Sequence, residues 1–492
     1  MVGKLEIKIK TLTPLWTGGV DTTMDRIHET GLLGSLRWWY EAIVRGLGGY
    51  ACDPTEHKCS FDADKYRKSK ALDERQRLRE AGLCAACQVL GATGWRRRFR
   101  VEVRPLAGEI DFTEGMFPSG RVHYDRRRNY RVGGWLLRGG YFGNLELRFT
   151  GEERVLLCEI LPTLLFIEQW GALGPKTSIG YGVIEIAEIK IGEQVYERKQ
   201  GDLRIQLNEL VSRKCQESRT GKWWWSRKSS PESIYQGVLP AITNMFFGKV
   251  RFGATDSDWW RNFSEIQWLQ FGNIAEDEAH WTGEESQKPQ GPYEISRILP
   301  VARMAHWIRR HHVFPLSPII RTRLRYGGSD VASICKGNGE SDWCKFVFGT
   351  VEGYGPICGY CGTRVREDRR VRNQWWCSSG RASLASDEIV FEGKRVQSKV
   401  RVSWAYRTND NRWEFRLWGW LPEHTQSDNH QQQRGEFLHK LKQSIGFPSQ
   451  LQAFTVCWFA KQKNEKPDDF LTALLGECRG QESYRDAEST GN

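Results

Sequence analysis

The segment Trp170–Ile186 reads WGALGPKTSIGYGVIEI, and it constrains the fold of this chain more than any other stretch. Four glycines (Gly171, Gly174, Gly180, Gly182) surround one cation, Lys176, where an apolar helical pattern gives way to an alternating strand. A plain helix-to-strand turn needs one or two glycines. Four let backbone amides approach a ligand closely, and a lysine among them suits a phosphate. A P-loop is a poor match, because Pro175 precedes the lysine and the segment runs from helix to strand rather than the reverse. GLGG at 46–49 also lacks the spacing of a dinucleotide-binding turn.

The pattern upstream of this loop completes a unit. Leu5, Ile7 and Ile9 alternate as a first strand, and Leu32, Leu36, Trp39, Tyr40, Ile43, Val44 and Leu47 recur at helical spacing. Arg37, Glu41 and Arg45 fall on the opposite face of that helix. Phe99, Val101 and Val103 give a second strand, and Leu145, Leu147 and Phe149 a third. A long helix over 155–170, kinked at Pro162, leads into the glycine loop and a fourth strand over 183–189. The order β-α-β-β-α-β predicts a ferredoxin-like α+β domain, an arrangement that RNA-recognition modules also use. This domain spans 1–195, with inserted loops at 50–90 and 104–140.

A second domain is predicted over 196–460. It echoes the first faintly: FVFGTVEGYG (346–355) resembles VLGATG (89–94), and the basic strands SKVRVSWAYR (398–407) and RRRFRVEVRP (96–105) follow each. The polar stretch 424–435 and the tail over 461–492 read as flexible.

With a net charge of +12 over 492 residues, the chain favours a polyanionic partner. Its 22 tryptophans often stand beside arginine or lysine, which supplies both phosphate neutralisation and base stacking. Between Arg96 and Arg138 there are eleven arginines against five acidic residues and no lysine. Within this stretch, Arg96, Arg97, Arg98, Arg126, Arg127 and Arg128 are candidate RNA contacts. No apolar run is long enough for a membrane span, and the amino terminus lacks a signal-peptide core, so a cytoplasmic protein is expected.

In that compartment the 13 cysteines are better read as metal ligands or buried thiols than as disulfides. Cys84 and Cys87 form a CxxC with Cys52 and Cys59 upstream, and four thiolates complete a tetrahedral zinc site; His57 is an alternative fourth ligand. A second set comprises Cys358, Cys361 and Cys377, with Cys344 or Cys335 available, in a segment like a zinc ribbon studded with arginines. Acid–base candidates are few: Asp21, Asp25 and His28 lie between the first strand and first helix, where a ribonuclease could use them.

Taken together, TLTPLWTGG (11–19), GLLGSLRWW (31–39), CxxCQVLGATGWRRRF (84–99) and GALGPKTSIGYG (171–182) resemble the RAMP superfamily of CRISPR effector proteins. Within it the match is to the first-numbered RAMP subunit of the type III-B (Cmr) complex. The resemblance implies tandem ferredoxin-like domains and a subunit that contacts guide (CRISPR) RNA near its 3′ end. It also implies capture of complementary single-stranded target RNA, other RAMP subunits as partners, and cleavage carried out elsewhere in the complex. By family position, Gly34, Ser35, Arg37 and Trp38, together with Arg96–Arg98, Lys176 and its glycines, would touch RNA. The competing expectation is a RAMP endoribonuclease, either a metal-dependent slicer or a guide-processing enzyme.

Overall fold

A computed structural model of the chain describes residues 2–19, 24–47, 49–53, 59–111, 114–125, 130–197, 238–253, 259–263, 301–326, 346–349, 356–360, 365–367, 374–377, 382–385, 389–390, 398–423, 427–445, 454–462 and 464–476. The chain is mixed α+β, and its sheets are antiparallel.

In the first strand, β1 (Val2–Thr11), Leu5, Ile7, Ile9 and Thr11 are buried while Lys4 and Lys10 are exposed. That alternation turns one face of the sheet onto helix α1 (Glu29–Gly46). The inserted segment that follows α1 folds as three short helices, α2 (Ala63–Lys68), α3 (Glu74–Glu80) and α4 (Ala85–Leu90). Asp62 and Asp73 cap the first two by accepting backbone N–H bonds.

Strand β2 (Phe99–Ile110) runs well beyond the expected segment and pairs along its length with β5 (Tyr141–Glu152). Between them, part of the arginine-rich insertion forms a separate two-stranded ribbon, β3 (Glu114–Asp125) with β4 (Tyr130–Arg138). Helix α5 is α-helical at Glu153–Val155, π-helical at Leu156–Ile160 and α-helical again at Leu161–Trp170. The wide turn directly precedes Pro162, whose ring and missing N–H disrupt the regular ladder there. Strands β6 (Ile184–Ile191) and β7 (Gln194–Val195) complete a sheet of order β2-β5-β1-β6-β7.

The face of this sheet opposite the helices carries a checkerboard of charge. One row across the strands reads Glu102, Arg148, Glu6, Lys190, and the next reads Arg104, Glu146, Lys8, Glu188. Signs alternate along both rows and between them, with contacts such as Lys8–Glu188 at 2.9 Å, Arg148–Glu146 at 2.6 Å and Arg148–Glu6 at 3.2 Å. An RNA-recognition sheet presents aromatic rings on this face for stacking. Here the face is neutralised from within.

The second half has a larger antiparallel sheet of its own. Its strands are β8 (Met245–Phe252), β9 (Val313–Phe314), β15 (Val400–Val402), β16 (Ala405–Arg407), β17 (Trp413–Trp420) and β18 (Phe454–Ala460). The sheet runs β18-β8-β17-β16-β9, with β15 also on β17. As β1 lies between β5 and β6, so β8 lies between β17 and β18. Helices α6 (Val301–His311) and α7 (Ser317–Tyr326) follow β8, and α8 (Asp428–Ile445) joins β17 to β18. Five short strands, β10 (Ile357–Cys358), β11 (Arg366–Glu367), β12 (Gln374–Cys377), β13 (Ala382–Ala385) and β14 (Ile389–Val390), form two small sheets in the cysteine-rich insertion.

Two segments read as flexible are helical. Within 424–435, residues from Asp428 onward belong to α8, which buries Phe437, Leu438, Leu441 and Ile445 further along. Within the tail, α9 (Pro467–Gly476) buries Phe470, Leu471, Leu474 and Leu475. The apolar residues at i, i+1, i+4 and i+5 supply the stripe that anchors it. A single hydrophobic cluster runs through both halves of the chain. Among the described residues, no helix is long and apolar enough to cross a membrane.

Candidate functional site

The glycine loop lies at the seam between the two halves, and its glycines are buried by protein. A Cβ on Gly171 would lie 2.3 Å from the Trp39 ring, and one on Gly182 would lie 1.8 Å from the Leu173 carbonyl oxygen. Gly174, Gly180 and Gly182 have φ of +93°, +98° and +85°, a region costly for side-chain-bearing residues. At Gly180 the close neighbours are Trp404 and Ser403 of the second half.

Three arginines of that half, Arg321 and Arg416 buried and Arg401 half-buried, clasp the loop. Arg416 Nη1 donates to the Glu168 and Gly171 carbonyls at 2.7 and 3.1 Å, which caps the carboxyl end of α5 with a cation. Arg401 Nη1 donates to Thr177 Oγ1 at 2.8 Å, and Arg321 Nη1 donates to the Ser178 carbonyl. Burial lowers Arg321 to about 9 and Arg401 to about 10. Glu414 lies close to Arg416; burial alone would push its carboxyl up, but Lys249, Arg416 and Arg251 hold it at about 2. Lys176 sits with its Nζ 4.1 Å from the centroid of the Trp16 ring.

The four cysteines of the first set converge. Cys52, Cys59, Cys84 and Cys87 place their sulfurs within 4.8 Å of one another. Cys52 and Cys87 are 3.6 Å apart, and Cys52 and Cys84 are 3.7 Å apart. Zinc–sulfur bonds of about 2.3 Å in a tetrahedron give a sulfur–sulfur edge of about 3.8 Å, whereas a disulfide needs about 2.05 Å. Backbone N–H groups of Cys52 and Cys87 point at Cys84 Sγ, at 3.5 and 3.4 Å. Hydrogen bonds from Cys52, Cys59 and Cys87 hold the Cys84 thiol well below its ordinary value. This donor set fits a thiophilic metal ion such as zinc. His57 lies outside the described residues.

This arrangement changes the place of Arg37. Its Nη2 donates to Cys87 Sγ at 3.0 Å, Nη1 to the Gly91 carbonyl at 2.9 Å, and Nε to Glu41 at 2.7 Å. All three guanidinium nitrogens are thus committed inside the protein. Glu41 and Arg45, read as a polar helix face, are buried between α1 and the insertion, and burial raises Glu41 to about 7 against the pull of Arg45 and Arg37. Trp38 packs edge-on to Trp39 and Trp420 beneath Arg401. Gly34 is exposed on α1 and Ser35 is half-buried.

Of the arginine cluster, Arg96 is exposed and Arg97 half-buried, whereas Arg98 is paired with Glu152 at 2.7 Å and Glu74 at 3.1 Å. Arg126, Arg127 and Arg128 join β3 to β4 and lie outside the described residues, as do Asp21, Cys344, Cys335 and Cys361. Asp25 Oδ1 meets His28 Nε2 at 2.7 Å on the surface, and that hydrogen bond lowers the Asp25 carboxyl.

One grouping meets the sequence reading in part, and another has no counterpart in it. Cys358 and Cys377 do approach each other, but the third member is His430 of α8. Glu109, His306 and His311 also converge; there Glu109 pairs with Arg310 at 2.6 Å, and the His311 ring stacks on Phe142. A long gap in sequence separates His430 from the two cysteines, and Glu109 from the two histidines, so no local spacing marks those partners.

Residues 8–185 match the family model of the RAMP superfamily. No curated protein sequence matches the chain. Among solved structures, Cmr1 from Pyrococcus furiosus in its apo form is 11% identical, over 86% of this chain and 88% of that one, with a TM-score of 0.31. A chain of the type III-B Cmr-beta complex bound to cognate target RNA is 12% identical, over 90% and 100%, with a TM-score of 0.31. Cmr6 from Pyrococcus furiosus is 14% identical, over 38% and 98%, with a TM-score of 0.20. The likeness to the RAMP superfamily thus covers residues 8–185, the amino-terminal part of this chain.

Proposed function

We propose that the chain is a non-catalytic, cytoplasmic RNA-binding subunit of a type III-B CRISPR ribonucleoprotein. It holds guide RNA near the 3′ end and helps capture complementary single-stranded target RNA, alongside other RAMP subunits. Its two halves, 1–195 and 196–460, are tandem ferredoxin-like domains; their shared strand order supports this, since in each the first strand lies between the third and fourth. The cluster of Cys52, Cys59, Cys84 and Cys87 holds a structural zinc that pins the inserted helices to α1.

What supports the RNA reading is the run of arginines that the sequence sets between β3 and β4. The glycine loop is filled by protein and the open sheet is neutralised, but the β3–β4 ribbon forms its own sheet, apart from the first. Phe117 and Trp135 secure it against Phe314 and Arg321 of the second half. Three of the four residues between its strands in sequence are Arg126, Arg127 and Arg128. With exposed Arg96 they supply phosphate contacts independent of sequence.

Single-strand RNA affinity across a salt series tests this. Replacing Arg126, Arg127 and Arg128 together by Ala is expected to weaken binding at every sequence. It should also flatten the salt dependence by about 0.7 in log–log slope for each lost phosphate contact. Unchanged affinity and slope would refute the ribbon as the contact surface.

The second reading, an endoribonuclease, draws on the exposed Asp25–His28 pair, whose carboxylate–imidazole contact has the form of an acid–base couple. Loss of cleavage of bound RNA in Asp25→Ala and His28→Ala would favour it.

A further inference from the structure

We infer that Cys358, Cys377 and His430 hold a second structural zinc ion, which ties the cysteine-rich insertion to the start of helix α8. The sequence reading placed any metal here within a self-contained ribbon. The structure brings in instead a ligand from an element more than fifty residues beyond Cys377.

The geometry is that of a coordination edge. His430 Nε2 lies 3.6 Å from Cys358 Sγ and 3.5 Å from Cys377 Sγ. Zinc–sulfur bonds of about 2.3 Å and a zinc–nitrogen bond of about 2.05 Å at the tetrahedral angle set a nitrogen–sulfur edge of about 3.6 Å. All three residues are buried, the cysteines fully and His430 at 4% exposure. The Tyr360 backbone N–H donates to Cys358 Sγ at 3.4 Å, a contact that favours the thiolate a metal requires. Both cysteines are free of disulfide bonding. Two sulfurs and an imidazole suit zinc over hard cations such as magnesium or calcium.

The surroundings explain why a metal is needed. Cys358 belongs to a two-residue strand paired with another of two residues, and Cys377 ends a strand of four. Sheets this small are marginal in water without an external brace. Their apolar content is slight: Ile357, Tyr360, Val365, Leu384 and Ile389 are the buried side chains described over 356–390 besides the two cysteines. His430 is the third residue of α8, and its backbone N–H meets Ser427 Oγ at 3.4 Å. An ion at this point would join both small sheets to a helix that packs on the second domain's core.

The test is a metal count by inductively coupled plasma mass spectrometry on the full-length chain, purified without chelator. Two zinc ions per chain are expected, falling to one in His430→Ala and in Cys358→Ser. Cys84→Ser should also fall to one, through loss of the other centre. His430→Cys, which keeps a soft ligand at the same place, should retain two. Should His430→Ala fail to fold, His430→Cys decides the matter, because a single zinc in that variant would overturn the assignment. A wild-type count of one that vanishes in Cys84→Ser, or a count of two persisting in His430→Ala, would overturn it equally.

Discussion

Replacing Gly180 by alanine tests whether the glycine loop is a seam between the halves or a surface for a ligand. The residue has φ of +98°, so a side chain costs about 1–2 kcal/mol before any contact is considered. The new Cβ would lie 2.6 Å from Trp404 Cδ1, 2.7 Å from its backbone nitrogen and 2.9 Å from the Ser403 carbonyl carbon. Two of those atoms are backbone and cannot swing aside. Relief requires moving Trp404, whose N–H donates to the Gly180 carbonyl at 3.0 Å and whose Nε1 donates to the Ile179 carbonyl at 3.1 Å. Losing both hydrogen bonds adds about 1 kcal/mol each, for a total of about 3–4 kcal/mol. Gly192→Ala is the control: φ is +62° with nothing within 4 Å of the new Cβ, so only the conformational cost of about 1 kcal/mol remains. Urea titrations followed by circular dichroism, with RNA affinity measured on the same preparations, separate the readings. If Gly180→Ala destabilises no more than Gly192→Ala, the seam argument fails. If it weakens RNA binding while stability holds, the loop is a ligand surface after all.

Two further outcomes follow from buried and surface charge. Lys399 is buried beside the Phe346 ring and carbonyl, and burial lowers it to about 7. The unfolded chain keeps the ordinary, higher affinity for that proton. Between pH 7 and 10.5 the unfolded state therefore binds more protons, and stability rises with pH by roughly 1.4 kcal/mol per unit from this residue. Lys399→Met should remove that part of the rise in denaturation midpoints taken at pH 7, 8 and 9; an unchanged slope would contradict it. On the sheet, Lys8→Glu sets like charges opposite Glu146 and Glu188 and should lower the melting temperature. Adding Glu188→Lys should recover part of the loss with RNA affinity unaltered, and weakened RNA binding in the double variant would show that the sheet face takes part.

What was legible in the sequence was what periodicity encodes. Leu5, Ile7 and Ile9 marked β1 and its buried face, and the spacing from Leu32 to Leu47 marked α1. The approach of Cys52 and Cys59 to the CxxC was also readable, because all four cysteines lie in one insertion. Glycine density was visible, but not what approaches the glycines: Trp39, Trp404 and the carbonyl of Leu173 are distant in sequence or belong to the backbone. Arg37, Glu41 and Arg45 fall opposite the apolar face because periodicity shows one buried side, whereas α1 is covered on a second side by the cysteine insertion. His430 escaped notice inside HTQSDNHQQQRG, a stretch without apolar residues, since the stripe that holds α8 begins only at Phe437.

The seam also changes what arginine content means in this chain. A high arginine count invites the reading that each guanidinium awaits a phosphate. Arg321, Arg401 and Arg416 instead meet a hydroxyl and carbonyl oxygens of one loop, and Arg37 meets a sulfur, a carbonyl and a carboxylate. A guanidinium suits these positions because its fork satisfies several acceptors at once, as ammonium geometry does less well. The carbonyls they bind are the ones left open where α5 ends and the chain turns toward β6. Such a helix end, buried without partners, would be costly; the second half supplies the partners, and the glycines allow it to come close enough to do so. The loop conformation is therefore a joint property of both halves, and these four guanidinium groups are committed to protein acceptors.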